Sequence, residues 1–115
     1  MADTVGIAGL FNYPNPAGAG YASIRAGIIT TFAMQYTRPP KTMSLNIYSI
    51  SGEHVKSAAT SDFSQLTKAN ADYKWVYQYD WDGRNDSGDS VAPGVYIYRV
   101  TGDDATKVGK MAVVR

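Results

Sequence analysis

Residues 95–114 have the sequence VYIYRVTGDDATKVGKMAVV, and they give the clearest indication of the fold. Tyr96, Tyr98 and Val100 occupy alternate positions, which is the period-2 pattern of a strand with one buried face. Because Arg99 lies on the opposite face, we expect those three side chains to point into the core. The polar segment Gly102–Ala105 separates this run from a second one at Lys107–Val114. The stretch therefore predicts an antiparallel hairpin.

The same alternation recurs upstream of the hairpin, between segments rich in Gly, Pro, Asn and Asp. Met43, Leu45 and Ile47, for example, alternate with polar neighbours. The segment at 61–71 shows no convincing repeat and is predicted to be a loop. About seven strands joined by short turns predict an all-β fold, an immunoglobulin-like antiparallel β-sandwich, with a small barrel as the alternative. The predicted upstream strands are Val5–Tyr13, Tyr21–Arg25, Ile28–Tyr36, Met43–Tyr48, Glu53–Ala59 and Tyr73–Trp81.

Length and charge limit the classes of function. The chain has 115 residues, no cysteine and a formal net charge of +1. A single domain spanning residues 1–115 is expected, large enough to bury a core without disulfides. So small a charge disfavours nucleic acid and anionic membranes as partners, and no apolar run approaches the roughly 20 residues that span a bilayer. No targeting segment is present; if the natural protein is exported, we expect this chain to be a mature form or an excised domain.

Few residues suggest catalysis. His54 is the single histidine and follows a turn, so a surface position is expected. A thiol site is excluded by the absence of cysteine, and no glycine-rich phosphate loop is found. We expect no enzyme, no cofactor and no metal.

Acidic residues cluster between Asp80 and Asp89. Carboxylates in such clusters can bind calcium. However, the fifth and sixth positions counted from Asp80 are Arg84 and Asn85, which does not match the EF-hand spacing. Ordinary solvated turns and a weak calcium site are the two interpretations left open.

An aromatic stripe occupies every second position from Tyr73 to Trp81. These residues could pack into the core, form a platform that stacks on sugar rings, or form a protein interface. The opposite face is mostly polar, which favours an inward-facing stripe.

Several short motifs, taken in order, resemble one family. The chain is similar to the immunoglobulin-like domain of the flagellar hook-capping protein, in the version found as C-terminal sorting domains of the type IX secretion system. The resemblance spans about residues 8–115 and implies a seven-stranded, non-catalytic sandwich on the end of a longer exported protein. One departure is the stretch 26–41, which is longer than the usual connection. The motifs are Tyr13–Pro16, Leu45–Glu53, Trp81–Gly88, Val91–Val100 and Lys110–Arg115.

The resemblance also implies a site and a location. The expected function is sorting and attachment by a protein partner, the secretion machinery, at the cell surface or outside the cell. A structural or adhesive module that self-associates by donating the strand Val5–Tyr13, and a carbohydrate-binding accessory module, are the alternatives. Deleting Val113–Arg115 is expected to abolish export at modest cost in stability. The expected sorting residues are Gly109, Lys110, Met111, Ala112, Val113, Val114 and Arg115.

Overall fold

The computed structural model describes residues 7–13, 15, 17–18, 27–36, 40–65, 75–103 and 105–114. Strands dominate these residues, with one turn of 3₁₀ helix at Thr60–Asp62. The predicted strand Tyr21–Arg25 and residue Arg115 lie outside the described residues. The strands are β1 (Ile7–Tyr13), β2 (Ala17–Gly18), β3 (Thr30–Tyr36), β4 (Met43–Ser49), β5 (His54–Ala59), β6 (Ser64–Gln65), β7 (Val76–Trp81), β8 (Gly94–Gly102) and β9 (Ala105–Val114).

The strands form two sheets, and the all-β sandwich prediction is confirmed. One sheet has the order β1-β3-β7-β6 and the other the order β2-β9-β8-β4-β5. As in an immunoglobulin-like sandwich, the first, second and fifth major strands share a sheet, the sixth pairs with the third and the seventh with the sixth; the fourth, β5, pairs with the third instead of joining the first sheet. All pairs are antiparallel except β2–β9, which is parallel. Seven strands have six or more residues, in line with the predicted number, and β2 and β6 add two residues each.

The core lies between the two sheets and follows the predicted alternation. Tyr96, Tyr98 and Val100 are buried, as are Leu45 and Ile47. Aromatic contacts connect the sheets, since the rings of Phe32 and Tyr98 meet edge-on with centroids 4.7 Å apart. In β3 both faces are buried: Thr31 and Ala33, which the period-2 pattern places outside, are as inaccessible as their neighbours. Both side chains are small and lie beside larger ones on the adjacent strands, Thr31 between Tyr13 and Asp80 and Ala33 beside Gln78.

Two aromatic side chains fix the entrance to the last hairpin. Tyr96 donates from Oη to the carbonyl of Ala92, four residues upstream, at 2.6 Å. This tyrosine corner is typical of immunoglobulin-like sandwiches. The buried Trp81 donates from its indole N–H to the carbonyl of Arg84 at 2.9 Å. Together they fix the turn between β7 and β8 against the core.

The segment after Ala59 differs from the predicted loop. The predicted loop after Ala59 contains the 3₁₀ turn and the short strand β6, which pairs with β7 at Ser64↔Gln78 and Gln65↔Tyr77. Two residues carry no alternation, so only pairing with β7 defines this strand. Its continuation, 66–71, lies outside the described residues. Among the described residues, no helix is long and apolar enough to cross a membrane.

Candidate functional site

The predicted sorting residues lie on β9, where alternate side chains have opposite environments. Met111 and Val113 are each 1% exposed and belong to the core, whereas Val114 is 51% exposed. Their neighbours Lys110 and Ala112 are exposed and half-buried, respectively. We call the side chains that point away from the core, those of Val108, Lys110, Ala112 and Val114, the outer row. The strand thus has one anchoring face and one accessible face.

The inward face of β9 is locked by a glycine and a tyrosine. Gly109 pairs with Tyr98 across the hairpin. A Cβ added to Gly109 would lie 2.5 Å from Tyr98 Oη and 2.6 Å from Cε2, so the ring occupies the space that a side chain would take. Tyr98 Oη in turn donates to Oδ1 of the buried Asn12 at 3.0 Å. Burial raises the pKa of Tyr98, which keeps the hydroxyl protonated and able to donate.

The anchoring of Val113 changes one expectation. Val113 pairs with Gly94 on one side and Ala17 on the other, and its side chain is in the core. Burial of a valine contributes roughly 1.5–3 kcal/mol. A deletion beginning at Val113 therefore removes core as well as surface, and its cost is larger than the modest one expected from the sequence.

A side chain closes part of the outer edge of β9. Asn15 accepts the backbone N–H of Ala112 at 3.2 Å and donates from Nδ2 to the carbonyl of Lys110 at 3.3 Å. These are the bonds that a neighbouring strand would make. Beyond Asn15, β2 continues the closure by pairing with Val113 and Val114. Asn15, which follows β1 of one sheet and precedes β2 of the other, thus covers this edge.

The acidic turn uses its oxygens for its own backbone. Asp82 Oδ1 accepts the N–H of Arg84 at 3.0 Å, and Asn85 Oδ1 accepts the N–H groups of Ser87 and Asp89, both at 3.0 Å. Asp86 instead bonds to β5, taking the N–H of Ser57 at 3.3 Å. These bonds favour the interpretation of solvated turns.

The aromatic stripe faces the core. Trp81 is fully buried, and Tyr77 and Tyr79 pack against the core cluster, while Tyr73 lies outside the described residues. Burial, assisted by the negative charges of nearby aspartates led by Asp82, raises the pKa of Tyr79 to about 12. The exposed platform that motivated the carbohydrate hypothesis is not formed by these side chains.

His54 lies at the surface beside β4. Its Nε2 is 3.1 Å from Asn46 Oδ1, its ring meets Tyr48 edge-on, and its Nδ1 is 3.9 Å from Asp86 Oδ2. A serine nucleophile would need its hydroxyl on the imidazole, yet Ser57 Oγ donates to Asp86 instead. Within the described residues this arrangement stabilises the surface of the sheet and does not form a nucleophile–base pair.

Structure comparison finds the same fold in two proteins of Porphyromonas gingivalis. One is PorZ, an essential bacterial surface component of the type-IX secretion system, with a TM-score of 0.56 and 20% identity over 93% of this chain. The other is dimeric latent PorU, with a TM-score of 0.64 and 21% identity over 99% of this chain. The chain spans 12% of the PorZ chain and 10% of the PorU chain. No protein-family model matches the sequence, and no curated protein matches it. What these comparisons establish is the fold.

Proposed function

We propose that this domain is a non-catalytic sorting and attachment domain of a secreted bacterial protein, recognised by the type IX secretion machinery at the cell surface. The observation that carries the proposal is the geometry of β9. Its outer row is accessible in the folded domain, whereas Met111 and Val113 hold the strand in place. A partner can therefore bind the strand without unfolding the sandwich.

The fold and the sequence resemblance support the same class of function. A segment of PorZ, a surface component of that secretion system, has the same fold. The residues resembling sorting domains include the last strand itself. Fold alone does not fix function, so the outer row is the feature that an experiment has to address.

Export of a reporter tests the proposal. A signal-peptide-bearing reporter fused to this domain is expected on the surface of a type IX-competent bacterium. Lys110→Ser and Val114→Ser, both on the outer row, are expected to reduce surface display while leaving the melting temperature of the purified domain unchanged, because each side chain is exposed. Retention of the unmodified fusion in the periplasm would overturn the proposal.

A matched control separates recognition from general surface chemistry. Ile50 is 65% exposed at the turn between β4 and β5, so Ile50→Ser removes a similar apolar side chain away from β9. Display should be unaffected by Ile50→Ser. If Ile50→Ser and Val114→Ser reduce display equally, the outer row is not the recognised surface.

The self-assembly alternative required a free first strand. Residues Ile7–Tyr13 instead pair with β3 of the same chain, from Ile7↔Tyr36 to Tyr13↔Thr31. Donation to a neighbour would have to break this pairing. Sedimentation of the purified domain distinguishes the two functions, because a sorting domain has no need to self-associate.

A further inference from the structure

Part of the outer edge of β9 is not covered by a strand or a side chain within the described part of the chain. The pairing with β8 runs without a register shift from Gly94↔Val113 to Gly102↔Ala105. Alternate residues of an antiparallel strand therefore direct their N–H and C=O groups to the same side. The C=O group of Lys110 and the N–H group of Ala112 point away from β8 and bond to Asn15. The backbone groups of Thr106 and Val108, at alternate positions of the same strand, therefore also point away from β8. We call the backbone groups of Thr106 and Val108 the open edge.

The open edge differs from the covered parts of the same sheet. Asn15 and β2 cover β9 from Lys110 onward. At the opposite side of the sheet, Asp86 covers β5 with two hydrogen bonds. Its backbone N–H donates to the carbonyl of Val55 at 3.0 Å, and its carboxylate accepts the backbone N–H of Ser57. Backbone donors and acceptors in a row are a template for another strand. The open edge is therefore the part of this sheet where a strand can add.

The side chains around the open edge define the chemistry of the added strand. Val108 is 59% exposed, and Lys107 and Lys110 flank it. The two lysines lie on opposite faces of β9, since Lys107 pairs with the inward-facing Val100 and Lys110 with the outward-facing Ile97. Among the described residues neither ammonium group has a carboxylate partner within ion-pair distance. In the hairpin turn, Asp103 accepts hydrogen bonds from Lys41 N and Thr42 N, both at 3.0 Å.

From this geometry we propose that the open edge accepts an extended segment of another protein in which carboxylates alternate with β-branched apolar residues. Backbone bonds to Thr106 and Val108 hold the segment, Val108 contacts the apolar side chains on one of its faces, and Lys107, on the opposite face of β9, pairs with the carboxylates there. A second copy of β9 is disfavoured because its lysines would meet those of the first. This proposal does not depend on the export function, because the open edge is a property of the folded domain alone.

Binding of designed peptides to the purified domain tests this inference. The probes are a short capped peptide in which valine and threonine alternate with glutamate, and its counterpart with lysine in place of glutamate. The glutamate peptide is expected to bind with shifts of the Thr106 and Val108 amide resonances, and binding should weaken with added salt. Absence of binding at about 1 mM peptide, equal binding of the lysine peptide, or shifts confined to other strands would overturn the proposal.

Three variants test the separate contributions of backbone and charge. Val108→Pro removes an outward N–H without breaking a bond to β8, and proline is tolerated at such edge positions. Affinity for the glutamate peptide should fall at least about tenfold. The variant Lys107→Glu should reverse the preference in favour of the lysine peptide, whereas Lys110→Glu, on the opposite face, should not; this pair keeps the proposal testable if Val108→Pro does not fold. Unchanged affinity of a folded Val108→Pro variant, or an unchanged preference of the Lys107→Glu variant, contradicts the proposal. Export by the secretion machinery is measured separately, so either proposal can fail without the other.

Discussion

Replacing Gly109 with alanine tests how β9 is held in the sandwich. The new Cβ would lie 2.5 Å from Tyr98 Oη, inside van der Waals contact. The tyrosine ring has little freedom to move, because Tyr98 is 3% exposed, meets Phe32 edge-on and donates to Asn12. The added methyl therefore displaces either the ring or the strand.

The magnitude follows from three contributions. Overpacking of a core costs about 1–3 kcal/mol. Loss of the Tyr98–Asn12 hydrogen bond costs about 1 kcal/mol. Alanine regains about 0.5–1 kcal/mol of the entropy that a glycine loses in a strand. The free energy of unfolding should fall by roughly 2 kcal/mol, which lowers the melting temperature by roughly 8 °C for a domain of this size.

A double-mutant cycle measured by urea denaturation checks the cause. In a Tyr98→Leu background the ring is absent, so Gly109→Ala should become neutral or slightly stabilising, with a coupling of about 2 kcal/mol between the two sites. Lys110→Ala, an exposed change at the next residue, serves as the control and should stay within about 0.5 kcal/mol. The reasoning is refuted if Gly109→Ala costs the same in the Tyr98→Leu background as in the parent domain, or if it costs nothing in the parent domain.

Three further outcomes are expected. Tyr96→Phe removes the 2.6 Å hydrogen bond to Ala92 and should lower the free energy of unfolding by about 1 kcal/mol in urea titrations. Tyr48→Phe, the control, should change it little. Equal effects would contradict a stabilising contribution of the tyrosine corner. Because the pKa of Tyr79 is raised to about 12, the unfolded chain loses its proton first as the pH rises. The contribution of Tyr79 to the free energy of unfolding should thus be constant below pH 10 and then fall by up to about 1.4 kcal/mol per pH unit until pH 12. Tyr79→Phe should make the fall in alkaline denaturation less steep. An unchanged slope would refute the raised pKa of Tyr79. Asn15→Ala removes the acceptor of the Ala112 N–H and should speed hydrogen exchange of that amide, with Asn15→Asp as the control that keeps one acceptor; an unchanged exchange rate in Asn15→Ala would contradict edge closure.

The strands with strict alternation could be predicted from sequence, because burial of one face imposes the period. Tyr96, Tyr98 and Val100 face the core as predicted. The alternation of Met111 and Val113 with the outward-facing residues of β9 could be predicted in the same way. By contrast, the burial of both faces of β3 depends on larger side chains that β1 and β7 place beside Thr31 and Ala33, which no local pattern records.

The contacts that define the candidate site could not be predicted, because they join residues far apart in the chain. Asn15 and Lys110 are separated by 95 positions, and Asn12 and Tyr98 by 86. The two prolines flanking Asn15 indicated a break between strands but not an amide that substitutes for a strand. Likewise, nothing in the sequence around Gly109 indicates that this glycine accommodates the ring of Tyr98.

The motifs that carry the family resemblance therefore have a structural explanation at the edges of the five-stranded sheet. Asn15 covers β9 and Asp86 covers β5, each by bonding through a loop side chain to a backbone that another strand could otherwise use. Because these motif residues are occupied within the fold, they are poor candidates for direct contact with a partner. Asn15 and Asp86 leave two parts of this sheet accessible to a partner, the outer row of β9 and the open edge before Lys110. Recognition of this domain should accordingly depend more on those exposed positions, three of which also belong to the last motif, than on the motifs around Asn15 and Asp86.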